Sequence, residues 1–329
     1  MIEADMTDRR PHLYLARRLP DPVMTALRER YRLVCEPTDS SPEPSALIAG
    51  FQDADAAIVT LTERIDREIM GAARRLKILA NYAVGYNNLD LAAAHDHGII
   101  VSNTPDVLTD ATADLAWTLL LATARRVSEG DTLVRSGRWG GWTPTQLLGA
   151  EVAGRALGIV GMGRIGQAVA ERAVGFRMPV LYHTRRPLTP DPSTGRWQQV
   201  PLETLLRNAD FVSLHVPLNP TTTHLIGRRE LAIMRPEAIL INTARGPIVD
   251  EEALVEALEN RTICGAGLDV YENEPALHPA LAKQERTVLL PHLGSATWSA
   301  RVEMGMICLR NIDAVLSGRP ALNPVGGLA

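Results

Sequence analysis

The sequence predicts an α/β protein of two parallel-sheet domains, one inserted into the other. Three observations carry this. Short apolar runs alternate with helical patterns along about the first hundred residues, and do so again after residue 156. A chain of 329 residues is long for a single core. A last amphipathic stretch, 299–316, needs apolar surface to pack on, and the first domain offers it, which makes that domain discontinuous. The expected division is 1–103 with 291–329 for the outer domain and 104–290 for the inserted one.

In the outer domain the expected strands are 12–16, 31–35, 56–60, 78–81 and 99–102, each a short run rich in apolar residues. Helical patterns fall between them at 22–30, 45–50, 66–72 and 89–97. From 109 to 126 the pattern becomes one Ala- and Leu-rich helix. It is apolar nearly all round, so it is expected to be buried between domains or between subunits. The next stretch, Ser136-Gly137-Arg138-Trp139-Gly140-Gly141-Trp142, carries two large aromatics among glycines, and is expected to pack on something, a second subunit being one candidate.

The inserted domain starts at Ala156. Strands are expected at 156–160, 180–183, 211–215, 239–243, 266–270 and 288–290, and helices at 164–177, 202–208, 229–234 and 251–259. Asp250 is placed to cap the last of these helices.

Bulk properties exclude more than they select. With 46% hydrophobic and 22% charged residues the composition is that of an ordinary globular protein. A net charge of −4 gives no basic field for nucleic acid or an anionic membrane. No run approaches the roughly 18 apolar residues of a membrane span, and the polar start, 1–10, has no signal-peptide core. Cys35, Cys264 and Cys308 lack metal-type spacing and are read as reduced core thiols of a cytoplasmic protein.

The motif on which the inserted domain turns is Gly161-Met162-Gly163-Arg164-Ile165-Gly166, directly after an apolar strand and directly before a helix. A dinucleotide site needs this order. One glycine makes the tight turn, the second admits a pyrophosphate to the backbone, and the third lets helix pack on strand. The pyrophosphate then sits on free N–H groups at the positive helix end. Glycines alone also mark ordinary turns; the strand before and the helix after are what raise this one above that reading.

The following strand, 180–183, ends in Thr184-Arg185-Arg186 with no acid. An acid there would bind the ribose 2′-hydroxyl of NAD and repel the 2′-phosphate of NADP. One hydroxyl and two guanidinium groups suit the phosphate instead, each charge-assisted bond being worth about 1.5–3 kcal/mol. A solvated basic turn is the plainer alternative, but its position favours NADPH, with NADH as a weaker ligand.

Three more stretches leave strands at their carboxyl ends, where open α/β sheets place their sites. Asn242-Thr243-Ala244-Arg245-Gly246 presents an Arg able to hold a carboxylate through two parallel bonds. Leu290-Pro291-His292-Leu293-Gly294-Ser295 presents a His. Asp269, Glu272 and Glu274 offer three carboxylates, any of which could fix the imidazole and favour its protonated form. Alone, the Arg reads more readily as a surface ion pair and the His as a structural residue. Together on one nicotinamide-binding unit they are what reduction of a 2-oxo acid requires.

On these residues the chain resembles the D-isomer-specific 2-hydroxyacid dehydrogenases, and within them the glyoxylate/hydroxypyruvate reductase branch. The supporting stretches run from Asn81-Tyr82-Ala83-Val84-Gly85-Tyr86-Asn87-Asn88 and 103–114 through the glycine turn to Thr243–Gly246, 269–275 and 291–296. The resemblance implies two Rossmann-like, doubly wound domains around a cleft, the nucleotide domain inserted in a discontinuous flavodoxin-like substrate domain. It implies a catalytic set of Arg245, Glu274 and His292, choosing Glu274 among the carboxylates and leaving Glu272 without a role. It implies that backbone N–H groups of Val84 and Gly85 meet the substrate carboxylate together with Arg245. Cofactor contacts implied are Thr112, Met162, Gly163, Arg164, Ile165, Thr184, Arg185, Arg186, Thr243, Ala244, Asp269, His292 and Gly294, with Asp269 near the nicotinamide amide. The expected partners are a small 2-oxo or 2-hydroxy acid and a second copy of the chain, the segment after the long helix reaching across so that Trp139 approaches the partner's site. No nucleic acid, membrane or metal is expected. The alternatives are a bulkier or phosphorylated 2-oxo acid as substrate, and a dinucleotide-sensing binding protein.

Overall fold

The structure is a computed structural model and describes residues 10–185 and 197–326. The chain divides into two units, one of residues up to Leu108 together with those from Ala296 onward, the other Thr109–Ser295. Both crossings fall a few residues beyond the positions expected from sequence. Just past the expected positions, Thr104 N–H donates to Ala83 O of the outer unit at 3.0 Å, and His292 N–H to Asp269 O of the inserted unit at 3.0 Å.

The outer unit contains β1 (His12–Leu15), α1 (Asp21–Arg30), β2 (Arg32–Leu33), α2 (Pro44–Asp53), β3 (Ala56–Val59), α3 (Arg67–Ala72), β4 (Ile78–Asn81), α4 (Leu91–Asp96) and β5 (Ile100–Ser102), and regains the chain with α11 (Trp298–Leu316) and β13 (Pro324–Val325). Its sheet order is β13-β5-β4-β3-β1-β2, parallel except for β13. Phe51, Ile65, Ile69 and Met70 close one core against Ala57, Val59 and Leu79 of the strands. The final amphipathic helix α11 packs against α1, β3 and β4, as its pattern required.

The expected strand 31–35 shrinks to the two residues of β2, because it lies at the sheet edge and pairs with β1 alone. Cys35 lies just past that edge and is exposed, so the reading of all three cysteines as core thiols is corrected: Cys308 is buried and Cys264 partly so. β13, too short to show alternation, pairs antiparallel with β5 and was not legible.

The inserted unit contains α5 (Thr109–Ala124), α6 (Val127–Arg135), β6 (Leu157–Val160), α7 (Arg164–Ala173), β7 (Val180–His183), β8 (Trp197–Gln199), α8 (Leu202–Asn208), β9 (Phe211–Leu214), α9 (Arg228–Ile233), β10 (Ile239–Asn242), α10 (Glu251–Glu259), β11 (Gly265–Leu268) and β12 (Thr287–Leu289). Its seven strands run in the order β12-β11-β10-β9-β6-β7-β8, all parallel. The order reverses at β6, and ligands of such sheets bind outside the carboxyl ends at that point. Along β6, Leu157 and Ile159 face a core with α5 and α7, while Val160 faces the core under α8 and α10. Asp250 caps α10, its carboxylate accepting from Ala253 N–H at 3.0 Å.

The long helix is shorter than expected and its burial is internal to this unit, against α7, β10 and β11. It stops where Arg126 turns left-handed at φ 54°. The chain then forms α6, in which no side chain is buried. Trp139 and Trp142, expected to pack, are 52% and 79% exposed. Among the described residues no helix is long and apolar enough to cross a membrane.

Candidate active site

The glycine turn links β6 to α7 and sits at the reversal point of the seven-stranded sheet. Gly161 is left-handed at φ +99°, and a Cβ there would lie 2.6 Å from the backbone of His215. Gly166 lets α7 approach, since its Cβ would lie 2.2 Å from the Gly161 carbonyl oxygen. Gly163 differs: nothing lies within 4 Å of a Cβ built on it, so the missing side chain leaves open space beside the helix start. That is the division of labour a pyrophosphate site asks of three glycines. Arg164 is exposed, Ile165 half-buried, and the Met162 side chain lies in the core, so only its backbone is available to a ligand.

At the end of β7, Thr184 is half-buried, Arg185 is exposed, and neither carries an acid. Gln199 donates to the Thr184 carbonyl at 3.3 Å, tying this turn to the edge strand β8. Arg186 lies outside the described residues.

The candidate residues assemble at the ends of β10, β11 and β12. Asn242, the last residue of β10, closes the turn that follows: its Oδ1 accepts from Ala244 N–H at 3.0 Å and its Nδ2 donates to Arg245 O at 2.9 Å. Gly246 is required next, because a Cβ would meet the Tyr271 carbonyl oxygen at 1.8 Å. Arg245 keeps partial exposure, while crowding of its guanidinium by protein disfavours its charge and the nearby Glu274 carboxylate opposes that. Its Nη1 donates to the Ala244 carbonyl at 2.7 Å. Thr243 is buried, and its Oγ1 has no protein partner, an orphan that a cofactor group could satisfy.

His292 Nδ1 and Glu274 Oε2 are 2.9 Å apart, and Glu274 Oε1 accepts from Tyr271 N–H at 3.0 Å. Burial pushes the Glu274 carboxyl up, but the His292 hydrogen bond and charge, the Tyr271 N–H and Arg245 outweigh it, and the net shift is below the ordinary glutamate value. Asp269 behaves oppositely. It is fully buried, and desolvation raises its pKa against the N–H groups of Leu293 and Gly294, which donate to its two oxygens at 2.6 and 2.8 Å. These bonds hold the turn in which His292 takes φ 56°. Thr112 is buried on α5 and donates to Gly294 O at 3.0 Å. The chain thus brings Arg245, Glu274, His292, Asp269, Thr112, Thr243, Ala244 and Gly294 into one unit with the glycine turn. Val84 and Gly85 lie in the other unit, half-buried in the loop after β4.

Comparison with known proteins places this geometry. Residues 117–294 match the model of the D-isomer specific 2-hydroxyacid dehydrogenase NAD binding domain. Glyoxylate reductase of Thermococcus gammatolerans is 47% identical over 315 residues, covering 94% of each chain. The chain belongs to the D-isomer specific 2-hydroxyacid dehydrogenase family. Within it, it groups with the glyoxylate reductases: the Pyrococcus horikoshii glyoxylate reductase is 45% identical over 313 residues, 94% of each chain. A crystal structure of the NADPH-dependent glyoxylate/hydroxypyruvate reductase of Sinorhizobium meliloti, in complex with NADP and malonate, matches with TM-score 0.87 at 35% identity, covering 97% of this chain and 98% of that one.

Sequence reading missed several residues that shape this dehydrogenase's site. Glu272, left without a role, pairs with Glu251: Glu272 N–H donates to Glu251 Oε2 at 2.8 Å and Glu251 N–H to Glu272 Oε2 at 3.2 Å. Glu272 also lies 2.7 Å from His224 Nε2. Together these bonds anchor the loop carrying Glu274 to the start of α10. His215 supports the glycine turn from β9; burial pushes its pKa down to about 4, so it stands neutral against Ser213, 2.8 Å away. An Asx-type signal at Asn242, ahead of small residues, was available in the sequence. The Glu251–Glu272 pair, 21 residues apart, had none. Among the described residues no group of His, Cys, Asp or Glu is arranged to hold a metal.

Proposed function

We propose that this dehydrogenase is an NADPH-dependent reductase of small 2-oxo acids, converting glyoxylate to glycolate and hydroxypyruvate to D-glycerate. The observation that carries the reading is the 2.9 Å pair of His292 and Glu274 in one unit with Arg245 and an open dinucleotide turn. The names of the relatives support glyoxylate as the substrate.

Bound at Gly163 and the start of α7, with Thr243, Ala244, Thr112 and Asp269 as further contacts, the nicotinamide cofactor supplies hydride. Arg245 binds the carboxylate of the oxo acid through its guanidinium fork. Val84 and Gly85, in the other unit, are read as carboxylate donors through backbone N–H groups. Glu274 accepts from Nδ1–H of His292, which fixes the ring and its tautomer and leaves Nε2 for the substrate. His292 then delivers the Nε2 proton to the oxygen of the carbonyl being reduced, and the neutral imidazole regains it from solvent. Thr184, Arg185 and Arg186 are proposed to hold the 2′-phosphate of NADPH, supported by the lack of any acid at 184–185 and the exposure of Arg185. The chain is proposed to work as a homodimer, supported by α6 with no buried side chain and by exposed Trp139 and Trp142.

The test is kcat/KM for glyoxylate, hydroxypyruvate, pyruvate and a bulky 2-oxo acid, each with NADPH and with NADH, followed at 340 nm. The reading requires the two small acids and NADPH to lead. A higher value for the bulky acid, or for NADH, would overturn the corresponding part.

A further inference from the structure

The loop between β11 and β12 that carries Glu274 is closed by one carboxylate to which no step of the reaction above assigns a task. Glu251, the first residue of α10, is buried. Its Oε2 accepts from Glu272 N–H at 2.8 Å and its Oε1 from His278 N–H at 3.1 Å, so the two oxygens hold both ends of the segment 272–278. The grip is returned at one end, where Glu251 N–H donates to Glu272 Oε2 at 3.2 Å. Inside the segment Ala276 N–H donates to Asn273 O at 2.8 Å, which puts Glu274 at the tip of a tight turn. Among the described residues the backbone N–H and carbonyl of Glu274 make no hydrogen bond. Its carboxylate meets His292 at 2.9 Å and accepts from Tyr271 N–H at 3.0 Å, and the residue after Tyr271 is the gripped Glu272.

The same frame reaches the arginine. His224 Nε2 lies 2.7 Å from Glu272 Oε1, and His224 N–H donates to Pro247 O at 2.8 Å, two residues past Arg245. The turn after β10 and the loop after β11 are thus joined through Glu272, all within the inserted unit. A reacting group displaced by about 1 Å can cost roughly 10²-fold in rate. What fixes the ends of this segment therefore bears on turnover as well as on folding.

We infer that Glu251 is a positioning residue of the reduction, acting not on the substrate but by holding Glu274 against His292. This rests on the reading of His292 and Glu274 as the proton-donating pair. Glu252, the next residue of α10, supplies the contrast. Its side chain is 68% exposed and among the described residues meets only the His278 ring, 3.0 Å from Nε2, which leaves the His278 N–H to Glu251.

The test uses the full chain with NADPH and glyoxylate. Glu251→Gln is isosteric but replaces one acceptor oxygen with a donor, which releases one end of the segment. Its kcat should fall by about tenfold or more, with KM for glyoxylate and the Kd of NADPH within about twofold of wild type. The solvent deuterium isotope effect on kcat should rise, because proton transfer from a displaced His292 becomes the slower event. Glu252→Gln should leave both kcat and the isotope effect at their wild-type values. A merely structural role would lower Tm in Glu251→Gln while kcat of the folded enzyme and its isotope effect stayed put, and that result overturns the inference. So does an equal fall in Glu252→Gln. If Glu251→Gln does not fold, His224→Ala decides, its side chain being 44% exposed. It should lower kcat by about threefold, the scale of one lost hydrogen bond, with the same rise in isotope effect; wild-type values there overturn the inference. Loss of turnover in His292→Asn beside an unaffected Glu251→Gln counts against this inference alone, whereas full turnover in His292→Asn overturns the proton-donor reading and the inference together.

Discussion

Glu274 Oε2 lies 2.9 Å from His292 Nδ1, across 18 residues of chain. The pair leaves Nε2 as the ring nitrogen able to pass a proton to substrate. Replacing His292 with Asn keeps a polar side chain but removes that proton. In His292→Asn, kcat for glyoxylate reduction should fall by about 10²–10⁴, while NADPH still binds, because His292 is one expected cofactor contact among many that the substitution leaves in place. Steady-state kinetics with a fluorescence titration of NADPH checks both halves.

The Glu274 carboxyl has its pKa depressed in the folded protein, chiefly because the His292 contact outweighs burial. A depressed acid contributes stability above its unfolded pKa and loses it as pH falls through the folded value. The unfolded reference is 4.5, so the loss belongs below that pH. Thermal unfolding followed from about pH 6 to about pH 3 should therefore show a shallower acid fall in Glu274→Gln than in wild type. An unchanged slope would mean that the pair contributes nothing to folding.

The three glycines of the turn separate cofactor binding from folding. A methyl group at 163 enters open space, whereas at 161 it meets the His215 backbone at 2.6 Å in a left-handed conformation. Gly163→Ala should keep the wild-type Tm while weakening NADPH by about tenfold or more, since the cofactor's approach is what the methyl obstructs. Gly161→Ala should lose stability by several kcal/mol before any cofactor is added, as strain and overlap add. Calorimetry without cofactor and an NADPH titration distinguish the two.

These contrasts bear on what the sequence made legible. Strands β3, β4, β6 and β9 to β11 are buried apolar runs with turn residues at their ends, and local pattern was enough to place them. The helix α6, with no buried side chain, and the edge strands β8 and β13 carry no such period, because their register depends on neighbours and not on a core face. The same divide runs through the site. Arg245, His292 and the glycine turn announce themselves as charged, titratable or turn-forming residues directly after apolar strands. The choice of Glu274 among three carboxylates came only from resemblance; geometry then gives Asp269 to the backbone of Leu293 and Gly294, and Glu272 to Glu251 and His224. Non-local pairings such as these leave no trace in residue spacing.

The exposed aromatics after α6 make a separate prediction. Trp142 at 79% and Trp139 at 52% exposure are large apolar surfaces that a second copy would cover. Trp139→Ser combined with Trp142→Ser should shift sedimentation from dimer toward monomer at micromolar concentration. A wild-type monomer at that concentration would remove the homodimer from the proposed function.

Cofactor choice turns on the residues after β7. Thr184 and Arg185 carry no charge that would repel a phosphate, and Arg186, outside the described residues, adds a second guanidinium in sequence. Two charge-assisted bonds at about 1.5–3 kcal/mol each exceed what a solvated turn would gain. Arg185→Ala with Arg186→Ala should therefore weaken NADPH by about 10²-fold and leave NADH within a few fold, because NADH lacks the phosphate that both arginines would hold. An acid introduced as Thr184→Asp should push the ratio further, adding repulsion to the lost attraction. Measured as kcat/KM for each cofactor at saturating glyoxylate, a ratio that stays fixed in both variants would assign this turn to solvent and return the choice of nicotinamide to other contacts.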